Sequence, residues 1–341
     1  MPEIQRQLAS IRPISELILI PGADKVCLAR VDDWKCVVSK EDFKVGDLCV
    51  FFEIDSHLPP GDARYDFLQR ESREGTNGRI GPRIRTRKFF KGEYISQGLA
   101  MPLSLFPEII NPLPYDDVTE VLMVLKYEPI LKSYNPSSSG TPRGNFPSFI
   151  PKTDQQRLEN LRREYEDIWS KNYEVTVKRD GSSMTVYDAT SYDRQGVCSR
   201  NLDLKIEEGG QFVEMEERYG LLQKIEGTDL ALQGELFGPS IQQNPDGLKD
   251  RTFEVFDIYD IKTSTYLLPE LRRVLCSTLE IQHVPVVYES ISMSKFKDLA
   301  DIHDAILADY PRTKEGWVFK ATDGSYTFKV ISPEYLAKQK D

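Results

Sequence analysis

No run of about 18 apolar residues occurs in this 341-residue sequence, so no segment is built to cross a membrane as a helix. The N-terminus carries only a short apolar stretch, "ISELILI", broken by Glu16, without the unbroken core and cleavage site of a secretory leader. Cysteine is sparse and odd in number: Cys27, Cys36, Cys49, Cys198 and Cys276 are scattered, and no CxxC occurs. His57, His283 and His303 lie far apart. These absences argue against a disulfide framework or a zinc site and favour an intracellular location, cytoplasmic or nuclear. Positive charge is not in excess either. With a net charge of −10, the chain must meet any polyanion through local basic clusters rather than through its overall field.

What is present is an ordinary globular composition, 40% hydrophobic and 29% charged, on a chain long enough for two domains. Residues 1–125 read as mostly β. Runs such as "KVCLARV", "KCVVS", "LCVFFEI" and "ISQGLAMPL" are separated by turn signals at close spacing, as in a small barrel or sandwich. The stretch "NPSSSGTPRGNFPSFIP" is rich in proline and glycine, and 126–151 reads as a linker. The spacing then predicts a helix over 153–171, with Thr153 as N-cap, Gln156 three residues on, and Leu158, Leu161 and Tyr165 on one face. From 173 onward strands alternate with helical stretches such as "GQFVEMEERYGLLQKI".

The chemistry concentrates in this second half. "VKRDGSSMTV" places Lys178 two residues before Asp180 and next to a glycine turn between two strands. Four more stretches follow: "CSRNLDL" with Arg200, "LQGELFGP" with Glu235, "TFEVFDIYD", and "KEGWVFKATDGSYTFKVIS" with Glu315, Lys320 and Lys329. Singly each is bland. A Lys-x-Asp-Gly is most often a solvated hairpin turn, and "EGWVFK" reads as an edge strand. Together they set one lysine and three acids at strand ends, with further cations nearby. Asp180, Glu235 and Glu315 are placed to converge on a cation, and Arg200, Lys320 and Lys329 on phosphates. A deprotonated lysine amine can attack the α-phosphorus of a nucleotide. Its ordinary pKa of about 10.4 would first have to be depressed. Magnesium takes oxygen ligands and keeps much of its water, which suits acids set slightly back.

These stretches, in this order, resemble the ordered motifs of the covalent nucleotidyltransferases, the polynucleotide ligases and mRNA capping enzymes. DNA ligases and capping enzymes carry an OB domain after the last motif. This sequence ends soon after Lys329, so it is expected to lack one, as RNA ligases do. Its N-terminal part, "LASIRPISELILIPGADKVCLARVDDWKCVVSKEDFKVGDLCVFFEIDSHLP", resembles the amino-terminal OB domain of the RNA ligase family typified by the Naegleria and Deinococcus enzymes. "FIPKTDQQRLENL" resembles the segment preceding the nucleophile in that family, which places Arg157 on ATP phosphates.

The resemblance implies an α+β protein. An OB-fold barrel (1–125) would precede a nucleotidyltransferase domain (152–341) of antiparallel sheets with flanking helices. It implies Lys178 as the residue that becomes joined to AMP, with Asp180, Glu235 and Glu315 at a Mg2+ or Mn2+ ion. It also implies nucleotide contacts for Arg157, Val177, Arg200, Phe253, Lys320 and Lys329. ATP would be the co-substrate, and RNA with 3′-OH and 5′-phosphate ends the partner of a monomeric ligase. Sealing of nicked duplexes is the alternative, and an RNA-binding protein on a decayed ligase core is the non-enzymatic one. The sequence departs from the family in having Val177 where glutamate is frequent, which bears on adenine contacts, and Ile331 where a second lysine is frequent.

Residues 79–91, "RIGPRIRTRKFFK", hold six positive charges and no acid. Alternation would put Arg83, Arg85 and Arg87 on one face of a strand, beside Lys88 and Phe89. Cations with aromatics are what an OB surface uses on RNA.

Overall fold

The computed structural model describes residues 6–76, 78–90, 93–128, 140–242 and 244–338. The chain forms two compact units, Met1–Lys132 together with Pro333–Asp341, and Ser133–Ser332.

The first unit is built on a five-stranded sheet in the order Leu99–Pro102, Leu48–Phe52, Ala9–Leu19, Val26–Val31, Trp34–Ser39. The long first strand serves two neighbours. Ala9 to Pro13 pair with 48–52, and Ile14 to Leu19 pair with 26–31 after a register shift between Ile14 and Glu16. That shift lets one strand turn from one half of the sheet to the other. Gln97 donates its N–H to the Lys35 carbonyl at 2.7 Å, and Val37 donates to Ser96 Oγ at 3.0 Å, which draws the two ends of the sheet together. Ile14, Val31, Trp34, Cys36, Cys49 and Phe51 fill the interior. "ISQGLAMPL" is two strands rather than one, because Gly98 turns the chain at φ 91°, where a Cβ would lie 2.6 Å from the Phe51 ring. The helix Pro333–Lys338 returns to this unit, with Leu336 against the same core.

The second unit carries two sheets. Seven strands run in the order Pro142–Asn145, Leu202–Leu204, Arg194–Cys198, Ser182–Ala189, Leu230–Phe237, Thr252–Asp260, Thr265–Tyr266. Five run in the order Gln156–Arg157, Thr327–Ile331, Gly316–Ala321, Asn172–Lys178, Val286–Ser292. Among the described residues, all pairings between these strands are antiparallel except 156–157 with 328–329. Helices Gln211–Tyr219 and Pro269–Thr278 lay Phe212, Met215 and Cys276 on the larger sheet. Helix Leu299–Ala308 lays Ile302 and Ile306 on the smaller one.

Three sequence expectations change here. Part of the segment 126–151, expected as a linker, is structural: Pro142–Asn145 is an edge strand of the larger sheet, while 129–139 lie outside the described residues. The helix expected over 153–171 starts only at Leu158. Gln156 and Arg157 are claimed by pairing with Phe328 and Lys329, and Thr153 Oγ1 bonds Ser183 Oγ at 3.0 Å instead of capping. The expected face holds, since Leu158 and Leu161 are buried and Tyr165 packs beside them. "EGWVFK" is not an edge strand. Gly316–Ala321 lies between two partners and is buried throughout.

Candidate active site

The two sheets of the second unit are joined by a corner of three residues. Strand 172–178 of the smaller sheet ends at Lys178, and strand 182–189 of the larger sheet begins at Ser182. The chain must cross between them through Arg179, Asp180 and Gly181. A Cβ on Gly181 would stand 2.3 Å from the Leu236 carbonyl oxygen and 3.0 Å from Glu235 Cγ. Glycine is therefore what allows the corner to pass against the strand that carries Glu235. Gly316 does the same on the other side. It pairs with Lys178, and its Cβ would meet the Val330 carbonyl at 2.1 Å.

Lys178 Nζ donates to Glu315 Oε1 at 2.9 Å. Burial works to lower the pKa of the amine, but Glu315, Glu235 and Asp180 outweigh burial and hold it above its ordinary value. The depressed lysine that the chemistry asks for is thus not the state of the free protein. The carboxylates show the other half of the balance. Burial, and then neighbouring acids against the pull of Lys178, push Glu235 up to about 8, and burial also raises Glu315. Buried Oε2 of Glu315 has no hydrogen-bond partner among the described residues.

This oxygen set suits a hard divalent ion. Among the described residues no three His, Cys, Asp or Glu side chains group closely enough to hold one alone. Water and phosphate oxygens would have to complete its shell.

Two of the expected cations join this group. Arg157 and Lys329 sit side by side on paired strands. Burial, with Lys178 and Arg157 nearby, lowers Lys329 to about 7. Arg200 is exposed and held by Asp154 at 2.9 Å, and Asp154 also acts on Lys329, so Arg200 borders the same region.

Val177 borders a recess beside Lys178 but is only 2% exposed, and its N–H donates to the Pro285 carbonyl at 2.9 Å. Others stand apart. Phe253 is 1% exposed and its ring lies on Gly234, where any Cβ would collide with it. Lys320 is paired with Glu174, four residues before Lys178 and so about 13 Å from it along the strand. There Lys320 Nζ meets Asp257 Oδ1 and the Phe256 carbonyl, each at 2.5 Å, and burial lowers it to about 8 despite Asp257. It belongs to a buried ionic network in which Arg272 and Arg273 both bond Glu174, and Arg272 donates to His283 Nε2 at 3.0 Å. His283 Nδ1 faces the Val284 carbonyl, and burial, reinforced by Arg272, pushes the ring down to about 4.

Reading the sequence missed three side chains at the corner: Arg179, Asp246 and Lys314. Asp246 Oδ2 lies 3.6 Å from Arg179 and its Oδ1 3.3 Å from Lys314. Asp246 stands in "NPDG", which signals only a turn.

In the first unit the basic run is not one strand. Ile80–Pro82 and Arg87–Phe89 are separate, so the expected alternation of Arg83, Arg85 and Arg87 on one face does not form. Arg83 bonds Asp55 at 2.8 Å and lies over the Tyr127 ring at 4.4 Å, while Arg87 pairs with Glu71. Lys88 is exposed and Phe89 half-buried opposite Tyr94. Lys91, also in this run, lies outside the described residues.

Comparison with known proteins agrees with this fold. A family of OB-fold domains matches residues 8–103, and the RNA ligase family matches residues 171–331. Solved structures of Naegleria gruberi RNA ligase are similar over nearly the whole chain. A variant with AMP and Mn is 38% identical with a TM-score of 0.85, covering 98% of this chain and 99% of that one. A variant with ATP and Mn is 38% identical with a TM-score of 0.84, covering 98% and 100%. The enzyme with pyrophosphate gives 38% and 0.84, covering 98% and 99%. No curated protein sequence matches the chain.

Proposed function

The chain belongs to the RNA ligase family and is an ATP-dependent RNA ligase using a divalent metal, and from that premise we propose that Lys178 is the residue through which AMP passes to RNA. One observation carries this reading: the Lys178 amine stands at the corner between two sheets, 2.9 Å from Glu315 and within the field of Glu235 and Asp180.

In the free protein Lys178 keeps its proton and donates a hydrogen bond to Glu315. Attack requires that proton to leave Nζ, and Glu315 Oε1 is the acceptor in reach. The Nζ–phosphorus bond then forms as the bond from the α-phosphorus to the pyrophosphate oxygen breaks. In the second step an oxygen of the RNA 5′-phosphate displaces Lys178, and the lysine is recovered. In the third a 3′-OH displaces AMP and the phosphodiester is made. Asp180, Glu235 and Glu315 would hold the divalent ion, which supplies positive charge beside the transferring phosphate. Arg157 and Lys329, with Arg200 at the border, would face the phosphates. Lys320, Val177 and Phe253 support the strands from the core side in this reading. We also propose that the enzyme acts as a monomer inside the cell.

The direct test is incubation with ATP labelled at the α-phosphate and Mg2+, followed by a denaturing gel. A covalent protein–AMP band is expected. Alanine at Asp180, Glu235 or Glu315 should lower the rate of band formation by on the order of 10²-fold or more. Near-normal rates in all three single variants would remove them from the metal site.

The division of the chain leads to a further expectation. Every proposed nucleotide contact lies in the second unit, and the basic–aromatic run lies in the first. A chain of residues 140–341 should still form protein–AMP but lose RNA end joining, because misplacing the 3′-OH strand by about 1 Å can cost about 10²-fold. Measuring both reactions on one preparation checks this. Sealing at the full-length rate would assign the first unit another task.

A further inference from the structure

Two basic residues flank the proposed nucleophile and its acid partner. Arg179 follows Lys178, and Lys314 precedes Glu315. Both reach the same carboxylate, Asp246, at 3.6 and 3.3 Å. Asp246 is 16% exposed at its side chain, and with Lys178 and Glu315 it lines a small recess. The segment that presents it is fastened to both corners. Gln242 Nε2 donates to the Gly181 carbonyl at 3.2 Å, and Lys314 Nζ donates to the Pro245 carbonyl at 2.7 Å. Arg179 is itself fixed from the far side, where its Nε donates to Glu254 at 2.8 Å.

We propose that Asp246 is a positioning residue for the transfer of AMP: a cross-brace between the corner that ends in Lys178 and the corner that begins at Glu315. The inference rests on the reading of Lys178 as nucleophile. Its physical content is simple. Lys178 and Glu315 come from the ends of neighbouring strands, where backbone pairing runs out at Lys178 and Gly316. Beyond that point backbone pairing between these two strands does not continue, although the Ser332 N–H still holds the Glu315 carbonyl at 2.9 Å, and the Asp246 carboxylate ties the residue after one strand to the residue before the other. A fixed nucleophile is worth much to the reaction rate and little to ATP binding, since a displacement of about 1 Å can cost on the order of 10²-fold. Asp246 touches neither reacting atom in this scheme. It acts through Arg179 and Lys314.

The test is single-turnover protein–AMP formation by the full chain over a range of ATP concentrations. Asp246→Ala should lower the maximal rate by roughly 10- to 100-fold and leave the half-saturating ATP concentration within about twofold. Asp246→Asn, which keeps the shape but not the charge, should be similarly slow, and Asp246→Glu should recover part of the rate. Adding Lys314→Ala to Asp246→Ala should cost little more, because both remove the same brace. Thermal unfolding of Asp246→Asn should match wild type. The proposal is overturned if Asp246→Asn reacts at the wild-type rate. It is also overturned if half-saturation rises about tenfold at unchanged maximal rate, which would make Asp246 part of ATP binding. A rate loss that follows a fall in Tm would overturn it as well. Lys178→Arg, run beside these, separates the two levels: if that variant is labelled, the nucleophile assignment fails and the brace fails with it.

Discussion

Lys178→Met should give no protein–AMP band above background at any ATP concentration, and Lys178→Arg should give none either. The pair of variants separates chemistry from structure. Methionine keeps the length and removes the nucleophile, but it also leaves the Glu315 carboxylate, 10% exposed, without its cation. An orphaned buried group of this kind costs about 1–3 kcal/mol. Arginine restores a charge opposite Glu315, yet its guanidinium holds its proton throughout the accessible pH range and cannot attack phosphorus. Lys178→Met should therefore be inactive and somewhat less stable, and Lys178→Arg inactive at near wild-type stability. Thermal unfolding and gel labelling on the same samples check both. A labelled band in either variant would move the nucleophile elsewhere.

Glu174→Ala should be among the most destabilising single changes in the second unit. Glu174 is fully buried and bonded by Arg272, itself fully buried, and by Arg273. Removing one member of a buried ion pair strands the other, at a cost of roughly 3–5 kcal/mol. For a unit of this size that is on the order of 6–20 °C in Tm. The damage should be to the fold alone. Glu174 lies four residues before Lys178 on the same strand, at the far end from the corner. Well below its lowered Tm, Glu174→Ala should still form protein–AMP. Loss of labelling in the folded variant would show that the ionic network reaches the chemistry.

The candidate site was legible where the proposed chemistry is local in sequence. Lys178 and Asp180 are separated by one residue around a glycine corner, and the acids at 235 and 315 stand in short glycine-flanked motifs. The fold was legible through its close-set strands, and the family match bears out the α+β, barrel-first architecture. What escaped depends on pairing between distant segments. Gln156 and Arg157 look helical by spacing, and only their partners at 328–329 make them a strand. Lys320 sits in a motif with Glu315, but strand register carries it to the opposite end of the sheet, where Asp257 holds it. Alternation suggested one face for Arg83, Arg85 and Arg87, yet Arg83 and Arg85 lie in the break between two short strands and only Arg87 is on one. The state of Lys178 also escaped, because three carboxylates from three segments outweigh the burial that would depress it.

The edge strand Pro142–Asn145 bears on how the second unit can be handled by itself. Arg143 donates to Asp203 at 2.8 Å, and Arg194 does so at 2.5 Å, so this fully buried carboxylate is neutralised from two sides. A shortened chain begun at residue 152, the boundary that composition suggests, would lose Arg143 and leave Asp203 half compensated. It would also uncover the backbone of Leu202–Leu204, which now pairs with 142–145. An open row of N–H and C=O groups invites a second molecule to add its own strand. Such a piece should precipitate or self-associate at concentrations where one begun at Gly140 stays dispersed, and light scattering would distinguish the two.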